Sequence, residues 1–145
     1  MLDTIKRLIT GKKTKEDEDE PRATELAAAA LMVQAALSDG VYADVEETAI
    51  LQALQSGFGL AEDEAKRILD KAEDLAEAAL DHYQFTKVIK ELPKEERIRF
   101  MTELWRVALA DGEKDAHEDA LLRRLAPLLA LSDRERAEAR QAAQR

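Results

Sequence analysis

One stretch of this chain occurs twice, and that constrains the fold more than any other feature. Ala36-Leu37-Ser38-Asp39-Gly40, with Glu46 beyond it, returns 72 positions later as Ala108-Leu109-Ala110-Asp111-Gly112, with Glu118 beyond it. In both copies an apolar, helix-like run ends at an Asp-Gly pair. A Glu follows seven residues after the Asp, and a second apolar run begins. Thr48-Ala49-Ile50-Leu51 then matches Ala120-Leu121-Leu122-Arg123 in type. Leu60-Ala61-Glu62 corresponds to Leu131-Ser132-Asp133 at an offset of 71, one residue having been lost from the second interhelix turn. Self-similarity of this kind predicts a doubled structural unit.

The residue types settle what that unit is made of. Only 5 Gly and 3 Pro interrupt a chain of 145 residues, and Ala, Leu, Glu, Lys and Arg dominate it. These are helix formers, so the expected fold is all-α. The length suits one domain that buries about 70% of its unfolded surface. There is no Cys, which excludes disulfides and thiolate chemistry and suits a reducing cytoplasm. No apolar run reaches the ~18 residues a spanning helix needs. The first residues lack the apolar core of a signal peptide. The expected location is therefore cytoplasmic. A net charge of -9 argues against nucleic-acid binding and favours cations or basic partners.

In chain order, residues 1–21 are expected to form an amphipathic, charged tail and residues 22–145 a helical domain. Leu2, Ile5, Leu8 and Ile9 share one helical face, with Lys6 and Arg7 opposite. Such a segment can seat on an anionic membrane or partner, or it is a terminal helix that docks on the domain or frays. Gly11 ends it, and five carboxylates, Glu16 to Glu20, follow. Arg22 to Ser38 predicts a helix with Leu26, Ala30, Val33 and Leu37 in one buried stripe. Gly40 suits the left-handed position that stops it. Glu46 to Gln55 predicts its partner helix, with Asp44 and Glu47 spaced as a cap pair. Gly57 and Gly59 bracket Phe58 in the following turn. Ala61 to Leu80 predicts a third helix, and Asp81 to Glu91 a shorter fourth. After Pro93 a helix carries Ile98, Met101, Leu104, Trp105 and Ala108 to the second Asp-Gly. Ala116 to Leu129 holds Leu121, Leu122, Leu125 and Leu128. Ser132 and Glu135 form a capping box that opens a last helix. The reading is two helix-turn-helix units, each followed by a further helix, joined by the middle segment. Related units commonly pack about a pseudo-twofold axis, which would bring the two Asp-Gly turns face to face.

The repeat sets Asp39, Glu46, Asp111 and Glu118 in equivalent places. Converging, the four would suit a hard cation such as Ca²⁺ or Mg²⁺, which takes carboxylate oxygens. The spacing is not that of an EF-hand, because Gly directly follows the first Asp. Each carboxylate also has a local use. Asp39 and Asp111 can accept from turn amides, and Glu46 and Glu118 can serve a helix N-terminus. Asp115 with Glu118 has capping-box spacing as well. His117 is a softer candidate ligand, but Val45 holds its place in the first copy. His82, beside Tyr83, has no catalytic partner in sequence. Phe58, Phe85, Phe100 and Trp105 fall at core spacing. No nucleophile elbow, phosphate loop or HExxH is present, and no catalytic pair stands out, so an enzyme is not expected.

The doubled Ala-Asp-Gly-x5-Glu pattern resembles the tellurite-resistance TerB family. Ala110-Asp111-Gly112 with Glu118 is a close match, and Ser38-Asp39-Gly40 with Glu46 differs by Ser for Ala. The likeness runs from roughly Thr24 to Ala143 and leaves out Met1 to Pro21. It implies a bundle of about seven helices with internal pseudosymmetry. It also implies a divalent-metal site at Asp39, Glu46, Asp111 and Glu118. Members of the family act in tellurite and general stress resistance, and a related domain occurs in a membrane-anchored DnaJ-like co-chaperone. The resemblance therefore implies a non-enzymatic module that binds a cation and a protein partner. The alternative is an interaction or co-chaperone-associated scaffold that binds no metal.

Overall fold

The computed structural model describes residues 23–37, 42, 44–79, 81–110 and 116–144, without the side chains of 116–119. The amphipathic segment, the acidic run, Gly40 and both Asp-Gly turns lie outside these residues. Among the described residues the chain forms seven helices. They are α1 (Ala23–Ala36), α2 (Asp44–Phe58), α3 (Glu62–Ala78), α4 (Tyr83–Lys90), α5 (Lys94–Ala108), α6 (Ala116–Leu128) and α7 (Asp133–Ala143).

The helix ends follow from local chemistry. At the start of α7 the Ser132 amide donates to Glu135 Oε1 at 2.9 Å, and the Glu135 amide donates to Ser132 Oγ at 3.1 Å. The reciprocal capping box read from the sequence is thus formed. At the matching start of α3 only half of it exists. The Ala61 amide donates to Glu64 Oε1 at 3.2 Å, but Ala61 has no side-chain acceptor to offer in return. Pro93 caps α5, where a missing amide hydrogen costs nothing, and Glu95 and Glu96 stand in the first turn. Asp44 is the first residue of α2 and so stands within the first turn that it was expected to precede. Gly57 also lies inside α2. The turn after it is made by Gly59 alone, at φ +67°.

α1 is the centre of the molecule. It packs against α2, α3, α4, α5 and α6. From Glu25 to Ala36 every residue except Gln34 is buried, so the single stripe expected from Leu26, Ala30, Val33 and Leu37 is too narrow. The reason is the alanines. Ala27 to Ala30 keep the helix slim on all sides, and neighbours close on each face. In the first unit α1 packs most extensively on α3. In the second, α5 does the same on α7. α2 leans on α5, and α4 on both α1 and α6.

The apolar core takes Ile50 and Leu54 from α2, Ile68 and Leu69 from α3, and Phe85 and Ile89 from α4. α5 gives Phe100, Met101, Leu104 and Trp105. From α6 come Leu121, Leu122 and Leu125, with Leu129 just beyond its end. One residue predicted to face inward does not. Leu128 is 42% exposed, whereas Leu129 is fully buried. A step of four from Leu125 keeps the inner face as the last turn tightens, with the Leu129 amide shared between Leu125 O and Ala126 O. Phe58 is partly buried at the end of α2 and packs on the core.

Candidate functional site

Glu46 is the member of the predicted carboxylate set whose side chain can be placed. It sits in the first turn of α2 and is 2% exposed, while Asp44 and Glu47 beside it face solvent. Burying a carboxylate is costly unless charge or hydrogen bonds compensate it. The helix N-terminus, with its free amides and positive dipole, is one source of compensation. Asp39, Asp111 and the side chain of Glu118 lie outside the described residues, as do Asp115 and the His117 side chain. Among the described residues no three His, Cys, Asp or Glu come together closely enough to hold a metal ion.

Carboxylates gather around Tyr42. Tyr42, between the first turn and α2, is half buried, with its hydroxyl inside. Burial first, then Glu73, Glu47 and Glu46, hold its ionisation far above the usual phenol range. Glu73 is itself pushed up by burial and by Glu47, Asp70 and Asp74, with the Tyr42 hydroxyl acting the other way. The two groups are near enough to couple, but no formed hydrogen bond satisfies the hydroxyl.

Between α2 and α5 lies a cavity of about 570 Å³. Val45, Ala49, Gln52, Ala53 and Ser56 line it from α2, and Glu103, Arg106 and Ala110 from the α5 side. In the chain Val45 directly precedes Glu46, and Ala110 directly precedes Asp111. The floor of the cavity holds Glu103, 5% exposed and paired with Arg106 one turn on. Burial raises the Glu103 carboxyl above its ordinary value against the pull of Arg106 and Arg99. Gly57 makes room for it, since a Cβ there would lie 3.4 Å from Glu103 Cγ. Sequence reading passed over this pair. A signal was available: Glu103 interrupts Phe100-Met101 and Leu104-Trp105 on a helix that had to be buried.

Two further polar contacts involve α1, α4, α5 and α7. His82 Nδ1 stands 2.6 Å from Gln34 Oε1, which ties the start of α4 to the one half-exposed position of α1's centre. Burial, with Arg124 nearby, keeps this imidazole below its ordinary pKa. Arg140 of α7 lies over the Trp105 ring, 5.0 Å from its centroid. Trp105 is therefore a core residue, as its spacing implied, with a cation on its face.

The fold and the buried carboxylate define an all-helical bundle of the kind the doubled motif implied. Residues 25–141 match the family described as tellurite resistance protein TerB, and the chain belongs to that family. The comparison with curated proteins gives no match, and neither does the comparison with solved structures.

Proposed function

We propose that this TerB-family domain is a non-enzymatic binding module. It takes a divalent cation, Ca²⁺ or Mg²⁺ before Zn²⁺, at Asp39, Glu46, Asp111 and Glu118, and it recognises a protein partner in the cytoplasm. The observation that carries the reading is the shared cavity. Val45 and Ala110 line the same space, so the residue before Glu46 and the residue before Asp111 border one cavity, which supports the reading. Glu46 is already turned into the protein, and its hard oxygens suit Ca²⁺ or Mg²⁺. A cation held by all four carboxylates would tie the two halves together and fix the surface they offer a partner. The acidic surroundings of Tyr42 support the same reading, because added positive charge would relieve them.

Thermal unfolding in chelator, Ca²⁺, Mg²⁺ and Zn²⁺ tests this. A ligand that binds only the folded chain raises its stability by mass action, by about 2.7 kcal/mol at a hundredfold excess over Kd. The expected result is a rise with Ca²⁺ or Mg²⁺ that disappears in Asp39→Ala with Asp111→Ala. If no ion shifts the midpoint, the carboxylates serve helix ends and turns, and the domain is an interaction or co-chaperone-associated scaffold without metal.

A further inference from the structure

Glu103 is an expensive residue for the place it occupies. At the 72-residue offset it corresponds to Leu31, and Arg106 corresponds to Gln34. Leu31 is fully buried in α1, so the fold accepts an apolar side chain at the equivalent position. A buried ion pair replaced by packed apolar groups is often neutral or stabilising. Packing alone therefore gives no reason for a 5% exposed carboxylate on α5. The cavity of about 570 Å³ beside it gives one. That volume is within the ~300–1,000 Å³ of small-molecule sites.

The pair leaves its outer atoms open. Arg106 meets Glu103 Oε1 through Nη1. Among the described residues no donor reaches Glu103 Oε2, and no acceptor reaches Arg106 Nε or Nη2. Arg106 is half exposed, so its open N–H groups are accessible. The lining holds this carboxylate and this guanidinium side by side, and its charges sum to zero. A ligand with net charge would bring a charge that the lining does not balance. A ligand with both charges on neighbouring groups would match it. α2 supplies the rest. Thr48, Gln52 and Ser56 recur every four residues as a polar stripe, and Val45, Ala49 and Ala53 as an apolar one beside it. Ser56 Oγ donates to the Gln52 carbonyl at 2.7 Å, whereas the Thr48 hydroxyl and the Gln52 side-chain amide have no partner among the described residues.

We propose that the cavity between α2 and α5 binds a free α-amino acid with an apolar side chain. Its ammonium group donates to Glu103 Oε2, and its carboxylate accepts from the open N–H groups of Arg106. The side chain lies along Ala53 and Ala49, whose single methyl groups leave it room. The bound ammonium adds positive charge beside Glu103, whose ionised form burial disfavours. The site is separate from the four carboxylates of the repeat and requires no cation there.

Calorimetric titration of the full chain with L-leucine, L-valine and L-methionine tests the proposal. Isoamylamine and isocaproate serve as controls, since they keep the leucine tail but carry only the cation or only the anion. At least one of the amino acids should bind. For leucine, each control should bind at least about tenfold more weakly, the loss expected for one charged hydrogen-bonding group. Glu103→Gln and Arg106→Gln should each weaken amino-acid binding by a similar factor. Glu103→Leu with Arg106→Gln, which copies Leu31 and Gln34, should abolish it while helical circular dichroism and the unfolding midpoint hold. Ala49→Leu, which fills the cavity, should abolish it too. Asp39→Ala with Asp111→Ala should leave it unchanged, so the cation reading can fail without this one. The proposal is overturned if none of the three amino acids binds. Amine binding as tight as that of leucine assigns the cavity to a simple cation, and equal isocaproate binding assigns it to an anion, so either result overturns it. Binding that survives the double substitution on α5 places the ligand elsewhere, and the proposal fails there as well.

Discussion

Gly59 and Ala130 occupy the same place in the two copies, at the left-handed turn that ends α2 and α6, with φ +67° and +57°. Only the first copy has the residue that suits this backbone. A Cβ on Gly59 would touch nothing within 4 Å, so Gly59→Ala carries a purely backbone cost, about 1 kcal/mol. Ala130 bears that cost already. Arg97 Nη1 donates to Leu129 O at 2.9 Å and to Ala130 O at 3.0 Å, which holds the turn in place. Ala130→Gly should therefore stabilise the domain by roughly 0.5–1 kcal/mol in urea unfolding. Opposite signs for the two substitutions are the expected outcome, and a loss in both would refute the shared strain. His82 supplies a pH prediction at the same scale. Its imidazole is held below the ordinary 6.5 by burial first and by Arg124 second. The unfolded chain then binds more protons than the folded one, so stability rises with pH. The contribution is complete above the ordinary imidazole value and is lost as pH falls from there through the folded value. His82→Gln should flatten the decline in unfolding midpoint on acidification below pH 6.5. An imidazole that titrates at or above the ordinary value by NMR would refute it.

Helices were legible in the sequence because their signals are local: Ser132 with Glu135, Pro93 before Glu95 and Glu96, and the apolar periods of α3 to α5. What stayed hidden depends on neighbours. The tilt of the last turn of α6 decides that Leu129 and not Leu128 faces inward. The burial of α1 on every side is a property of five surrounding helices, and a count of large apolar residues along one stripe misses it. For the candidate site, the repeat singled out Glu46 together with Asp39, Asp111 and Glu118 as equivalent positions. The burial of Glu46 and the cavity beside Glu103 needed α2 and α5 set side by side. This difference between elements yields a prediction. Ala29 is completely buried in α1, so Ala29→Leu overpacks the centre and should cost about 1–3 kcal/mol. Ala49→Leu on α2 points into open space and should stay within about 0.5 kcal/mol of the parent. Equal costs in chemical unfolding would mean that the cavity is not available to added side chains.

At the scale of the whole molecule, doubling raises the question of whether the halves fold separately. The repeat by itself permits that, since each half has its own first and third helices in close contact. The arrangement of α1 argues otherwise. It is the core of the first half, yet it also packs on α5 and α6 of the second, while α2 reaches across to α5. Removing α1 would uncover faces of α5 and α6 as well as of α2 and α3, so neither half keeps a closed core alone. Domains of this size commonly unfold in one step when the core is continuous. Trp105 makes a convenient reporter, because it is the single tryptophan and lies in the second half, 2% exposed. Its fluorescence should change at the same denaturant concentration as helical circular dichroism, with one slope for both. The same coincidence should hold in Leu54→Ala, which weakens the first half by about 2–5 kcal/mol and should move both transitions together. If tryptophan emission kept its native midpoint while part of the helical signal was lost earlier, the halves would be independent. A cation site or groove shared between them would then lose its mechanical basis, because nothing would hold its two sides at a fixed separation.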